Sequence, residues 1–275
     1  MKKNLKRESM VCWYSPKVLA QTAFDVFVSG ALGRHTDFRR LESLQGSRED
    51  PCYDYSGEAS EDFWVDYVAD SGDGWDSTYT VARYVSQNKL AVRDLQHREH
   101  DTQRGRILIF GGDQVYPIAS RDLYQRRFIE PYEQAAQLAA GLAQRDIYAI
   151  PGNHDWYDSL VAFTRLFCAQ RTVAGSPTRQ DRSYFALKLP HSWWLLAADV
   201  QLNCDIDDRQ YRFFESVASK MAAQDRIILC VGEPYWILRE KYGQKSIPKA
   251  MRADKAAAAL GAKAQQGMAQ IEQSL

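Results

Sequence analysis

Asn153, His154 and Asp155 stand side by side directly after Pro151-Gly152. An amide oxygen, an imidazole and a carboxylate in succession offer a metal ligand, a general acid or base, and an anion. That mixture suits a divalent cation or a phosphoryl group better than a packed core. The same three residues can also serve an ordinary polar turn by bonding their own backbone. Two further clusters carry atoms of the same kind. Asp113 lies in Gly111-Gly112-Asp113-Gln114-Val115-Tyr116-Pro117, and Asp70, Asp73 and Asp76 are spread over Asp70-Ser71-Gly72-Asp73-Gly74-Trp75-Asp76.

The elements that must position these groups are strands. Ile147-Tyr148-Ala149-Ile150 runs into Pro151-Gly152, Arg106-Ile107-Leu108-Ile109-Phe110 runs into Gly111-Gly112, and Phe63-Trp64-Val65-Asp66-Tyr67-Val68-Ala69 runs into the first acidic cluster. Short apolar runs that stop at glycine are buried strands ending in tight turns. The Asp113 and Asn153 tips are about 40 residues apart, room for crossover helices between parallel strands. If the strands share a sheet, their tips share its carboxyl edge, where open α/β sheets hold ligands. Three tips that each deliver carboxylate or amide oxygens answer the needs of a metal cluster rather than those of packing.

GDQVY followed by GNHDWYD resembles the calcineurin-like metallophosphoesterases, whose pattern runs Asp-x-His, Gly-Asp-x-x-(Asp or Tyr), Gly-Asn-His-(Asp or Glu), a His near a Pro, and a final Gly-x-His. The resemblance spans roughly residues 60–240. It implies an α/β fold, a four-layer α-β-β-α sandwich with mixed β-sheets, incomplete here at the C-terminus. It also implies two divalent metal ions (Mn, Fe or Zn) and hydrolysis of a phosphate monoester or diester by a metal-bound hydroxide. On that pattern Asp113 bridges the metals, Asp70 binds the first and Asn153 the second. His154, followed by Asp155, faces the phosphoryl group, and these two are the catalytic candidates. Two ions about 3.5–4 Å apart would clamp the attacking and leaving oxygens.

Three departures accompany the resemblance. Gly72 stands where the pattern has its first His, with Asp73 next to it as a substitute ligand. Glu233, in Gly232-Glu233-Pro234, stands where a His precedes a Pro. No histidine follows His191, so the final Gly-x-His segment is missing. The oxygen-rich set that remains leans toward Mn²⁺. The rival expectation is a catalytically silent, truncated relative that acts as a binding or scaffold protein.

At 275 residues with 45% hydrophobic content, the chain can bury a substantial core plus appendages. Thirty-five basic residues balance 35 acidic ones, so nothing in the charge favours nucleic acid or an anionic membrane. The expected partner is a phosphate-ester small molecule or phosphoprotein. Five scattered cysteines without a C-x-x-C pair argue for a reducing compartment and buried thiols. No long uncharged run suggests a membrane span, and a cytoplasmic protein is the default expectation.

In order, residues 1–55 form a helical appendage, with a helix around Leu19 to Leu32 and then a charged segment through Arg39 and Glu49. Residues 56–243 form the metallophosphoesterase-like core, and 244–275 an Ala-rich helical tail suited to a partner. Asp76-Ser77-Thr78 is expected to cap a helix from Tyr79 to Asn88. The charged stretch holding His97 and His100 is expected to be a solvated helix end. Arg121, Arg126 and Arg127 are assigned to a solvated helix face, and Pro131 to the opening of an Ala-rich helix through Gln144. A helix is expected from Trp156 to Cys168, and a polar loop over 170–182. Pro190-His191-Ser192 should turn a hairpin, and Asp205 to Lys220 should form an amphipathic helix leading to the strand Arg226–Val231.

Overall fold

The computed structural model describes residues 7–32, 52–58, 61–137, 141, 143–200 and 206–232. The expectations for Glu233, the charged segment through Arg39 and Glu49, and the 244–275 tail lie outside the described residues. The chain is mixed α/β and divides into two compact units. One comprises Met1–Leu41 with Asp62–Arg182, and the other Glu42–Glu61 with Ser183–Leu275.

The first unit is built on a three-stranded parallel sheet. Strands β2 (Val65–Val68), β5 (Ile107–Phe110) and β6 (Asp146–Ala149) lie in the order β2-β5-β6. Every residue of β5 and β6 is buried, as continuous apolar runs require of strands covered on both faces. The register pairs Val68 with Phe110 and Phe110 with Ala149, so all three strands end level at one edge. The far side of β6 is closed by a side chain: Gln180 donates to the Ala149 carbonyl at 2.7 Å and accepts from the Ala149 N–H at 2.6 Å, answering backbone groups that a fourth strand would otherwise pair.

Helices make the crossovers. After β2, α2 (Trp75–Val85) begins behind Gly74, so Asp76 lies inside its first turn and the expected cap at Asp76-Ser77-Thr78 is corrected. Its carboxylate still favours that end of the helix dipole. The charged stretch around His97 and His100 is no helix end but a ribbon, β3 (Lys89–Arg93) antiparallel to β4 (Glu99–Gln103). Asp94 fixes its turn, accepting from the N–H groups of Gln96 and Arg98 at 2.9 Å each and lying 3.0 Å from His100 Nε2.

After β5 one helix, α3, runs in three parts: Arg121–Leu123, a π turn over Tyr124–Ile129, and Glu130–Ala136. Ser120 caps it by accepting from Leu123 N–H, so the helix opens ten residues before Pro131. Phe110 of β5 meets Phe128 and Tyr132 of α3 edge-on, with centroids 4.8 and 5.2 Å apart, and Phe167 of α5 (Val161–Phe167) lies at 6.0 Å. Burying each such ring is worth about 1.5–3 kcal/mol, so this cluster is the unit's core.

The helix expected from Trp156 to Cys168 is two: α4 (Asn153–Trp156), then α5 after Ser159 and Leu160 adopt left-handed φ values of 60° and 62°. A small ribbon, β7 (Thr172–Val173) with β8 (Ser176–Pro177), interrupts the expected polar loop. The N-terminal helix α1 spans Pro16–Leu32.

The second unit holds a mixed sheet in the order β1-β9-β10-β11: β1 (Tyr53–Asp54), β9 (Phe185–Leu189), β10 (Trp193–Ala198) and β11 (Arg226–Val231). β9 and β10 form the expected hairpin, with His191 and Ser192 at φ of 59° and 61° in its turn. Helix α6 (Asp208–Ala218) connects the parallel pair β10 and β11 and buries Phe213, Phe214 and Val217 against Trp194 and Leu196. Asp207 caps α6 through the N–H groups of Arg209 and Gln210. Among the described residues, no helix is long and apolar enough to cross a membrane.

Candidate functional site

Because β2, β5 and β6 end level, the loops that follow them rise from the same edge, and the acidic tips meet there. Asp70 and Asp113 each sit at a strand tip with left-handed φ, 55° and 52°. Aspartate tolerates that region better than most residues. The two carboxylates converge on one hydroxyl: Tyr116 Oη lies 2.9 Å from Asp70 Oδ1 and 3.0 Å from Asp113 Oδ2. The other Asp113 oxygen accepts from the His154 backbone N–H at 2.9 Å, which ties the second tip to the third.

Glycines allow these approaches. A Cβ on Gly152 would fall 2.0 Å from Asp113 Oδ1, and one on Gly72 would fall 2.0 Å from the Gln114 carbonyl oxygen. Gly72 is therefore the floor on which the second loop rests, and its carbonyl accepts from Tyr116 N–H at 3.2 Å.

Burial raises the Asp113 carboxyl above its ordinary value, and the neighbouring His154 charge opposes that rise. Burial, then the charges of Asp113 and Asp70, pushes the Tyr116 phenol far upward, so it stays protonated at neutral pH. A phenol has one proton. It can donate to Asp70 or to Asp113, not to both at once. Three oxygens thus share one phenolic hydrogen, an arrangement that a further proton or a cation would stabilise.

His154 is held by its ring. Nδ1 lies 2.6 Å from the Pro117 carbonyl oxygen, which can only accept, so Nδ1 carries a proton and Nε2 is the nitrogen left for other partners. Tyr116 and Tyr157 pack around the imidazole at 4.5 and 4.9 Å between centroids. Asn153 donates its Nδ2 to Tyr157 Oη at 2.7 Å, which leaves the amide oxygen as its acceptor or ligand atom.

Asp155 plays a different part. It is fully buried, and its carboxyl accepts from Gly152 N–H at 2.8 Å, Tyr124 Oη–H at 2.6 Å and Gln114 N–H at 3.4 Å. Those contacts bolt the Asp113 and Asn153 loops together, and Asp155, expected beside His154 as a catalytic candidate, has no exposed surface. Tyr124 belongs to the π turn of α3. So does Arg127, which is buried and donates to the Asp73 carbonyl, a correction to its assigned solvated face. Arg126, on the same turn, pairs with Glu8 at 3.1 Å. π turns recur at functional sites, and this one aims two side chains at the site loops.

Asp73 reaches the cluster indirectly. Its Oδ1 accepts from the Trp13 indole N–H at 3.0 Å, and the Trp13 ring stands edge-on to Tyr116 and His154 at 5.6 and 5.7 Å. Trp13 comes from an N-terminal segment whose Val11 N–H also bonds the Asp73 carbonyl. Sequence reasoning missed both Trp13 and Tyr116. Tyr116 had a signal, since it fills the last place of Gly-Asp-x-x-(Asp or Tyr). Trp13, sixty residues from Asp73, had none.

Among the described residues, no three His, Cys, Asp or Glu side chains converge as a metal-holding group; the oxygens that meet are two carboxylates and a phenol. The chain matches no protein-family model and no curated protein.

Proposed function

We propose that this chain is a metal-dependent phosphoesterase acting on a phosphate monoester or diester, with its site at the carboxyl edge of β2-β5-β6. The observation that carries the reading is the trio of Asp70, Tyr116 and Asp113 oxygens with a single proton among them. Asp70, Asp113 and Tyr116, with the Asn153 amide oxygen, supply a donor set that fits hard divalent ions and leans toward Mn²⁺ over Fe or Zn²⁺. Bound divalent ions would supply charge against the phosphoryl oxygens and lower the pKa of the attacking water. With Nδ1 on the Pro117 carbonyl, His154 would act through Nε2. In its protonated form it gives a hydrogen to the leaving oxygen, and in its neutral form it accepts one. Asp155 positions rather than reacts, fixing Gly152 and Gln114 so that His154 N–H stays on Asp113. Trp13 and Tyr157 wall the imidazole and hold its plane.

The finer fold expectation, a four-layer α-β-β-α sandwich, belongs to the same proposal. Its support is that the first unit holds a three-stranded sheet and the second a four-stranded one, each with helices in its connections.

A second reading, a catalytically silent relative that binds a partner, draws on the lack of a three-residue His, Cys, Asp or Glu group among the described residues. Calorimetric titration with Mn²⁺ separates the two. Tight binding of two ions, with Mn²⁺-stimulated hydrolysis of an aryl phosphate mono- or diester that Asp113→Asn abolishes, supports the enzyme. Turnover unchanged in Asp113→Asn removes the site, and no ion or one weak ion supports the silent relative.

A further inference from the structure

The edge of the first sheet opposite the candidate site holds a cavity of about 230 Å³. Its lining includes Arg104 and Arg145, which precede β5 and β6, and Ser86, which follows α2. Leu108, Ile147 and Tyr132 form its apolar side. Gly141 and Gly175 border it, and a Cβ on either would meet nothing within 4 Å, so they leave its rim open.

Its charge is unbalanced. Arg145 is buried and donates to Asp66 at 2.6 Å and to the Val85 carbonyl at 3.0 Å. Arg104 forms no ion pair among the described residues; it donates one N–H to the Ala143 carbonyl at 2.7 Å, and its buried Nε–H has no partner. Burial, then the charge of Arg104, holds Arg145 below the ordinary guanidinium value, at about 10, which leaves it cationic at neutral pH. One carboxylate thus answers two guanidiniums. None of the described residues that line the cavity is acidic. A buried cationic N–H without an acceptor is costly, and guanidinium matches the geometry of a tetrahedral oxyanion.

We propose that this cavity binds a small phosphate-bearing molecule, its oxyanion on Arg104 and Arg145 and its body against Tyr132, Leu108 and Ile147. The site is separate from the carboxyl-edge cluster and does not depend on the phosphoesterase reading. The shared chemistry is the phosphate group, and inorganic phosphate and glycerol phosphate distinguish a free ion from a phosphorylated small molecule.

The test uses the full chain in EDTA, so that metal-assisted binding at the other edge is silent. Thermal unfolding with increasing phosphate or glycerol phosphate reads affinity by mass action. Both ligands should stabilise the wild type and Asp113→Asn alike, glycerol phosphate at the lower concentration, and Arg104→Gln should weaken binding about tenfold or more. Hydrogen exchange reads the location without any variant: peptides over 143–147 and 172–177 should gain protection. An unshifted wild type, an undiminished shift in Arg104→Gln, or protection confined to 111–117 and 152–155 overturns the proposal.

Discussion

Replacing Asp70 with Asn separates a cation site from an ordinary hydrogen-bonded turn, because the two give opposite signs for stability. Asp70 Oδ1 and Asp113 Oδ2 each lie about 3 Å from one phenol oxygen, so they are no farther apart than about 6 Å. Two unit charges at that distance repel by about 3 kcal/mol at an effective dielectric of 20 and by under 1 kcal/mol in water. Asp70 is exposed, so screening keeps the repulsion near the lower figure, about 1 kcal/mol. Asparagine keeps the shape, accepts or donates toward Tyr116, and adopts the left-handed φ of 55° at least as readily as aspartate. In EDTA, Asp70→Asn should therefore be neutral or stabilising by up to about 1 kcal/mol, read as the urea midpoint at unchanged slope. With Mn²⁺ at a hundred times its dissociation constant, the wild type should gain about 2.7 kcal/mol, and the variant should lose most of that gain. If Asp70→Asn destabilises the metal-free protein by about 1 kcal/mol and keeps the whole Mn²⁺ increment, Asp70 is only a hydrogen-bond acceptor and the cation reasoning fails.

Other outcomes follow from the same geometry. Gly152 has extended backbone, φ −93° and ψ −180°, that any residue adopts. Gly152→Ala should thus act by contact alone, its Cβ 2.0 Å from Asp113 Oδ1 and 2.4 Å from Asp113 N; urea unfolding should show a loss of about 1–3 kcal/mol. Burial, then the Asp113 charge, pushes the Asp155 carboxyl up to about 8. A carboxyl raised in the fold gives stability that is complete below its ordinary value of about 4 and is lost as pH rises through about 8. Urea titrations of the metal-free protein should show that fall across this window, and Asp155→Asn should flatten it.

The legible parts of the fold are those where burial and sequence pattern coincide. β5 and the 147–149 part of β6 are continuous apolar runs because both faces are covered, and their level ends put Asp113 and Asn153 at one edge, as the glycine stops suggest. The ribbon holding His97 and His100 shows no such pattern, because it is exposed at most positions; the Asp94 side chain, not hydrophobic alternation, sets its turn. Pro131 misled for a different reason. It falls in the first turn after the π segment, where the hydrogen-bond ladder changes pitch and a missing N–H costs least. The strand at Tyr53–Asp54, two residues long, owes its existence to β9 alone and leaves no periodic trace.

The scarcity of histidine at the site has a geometric cause at one position. The approach that brings Asp70 beside Asp113 rests the Gln114 carbonyl on Gly72 with no room for a Cβ, so a histidine there and this loop packing exclude one another. Asp73 does not simply move into that role, because its carboxylate holds the Trp13 indole and its carbonyl holds Arg127 and Val11. What arrives instead is the Tyr116 hydroxyl, carried by the loop whose packing requires the glycine. The groups that meet from the first two tips are therefore all oxygen. Oxygen donors favour Mn²⁺ and Mg²⁺ relative to sites built from imidazole or thiolate. On the proposed reading, that all-oxygen set bears on which ion the site would prefer. Stabilisation by Mn²⁺ that equals or exceeds that by Zn²⁺ at equal concentration is the expected mark, since Zn²⁺ outranks Mn²⁺ in the general affinity order and would win clearly at a nitrogen-rich site.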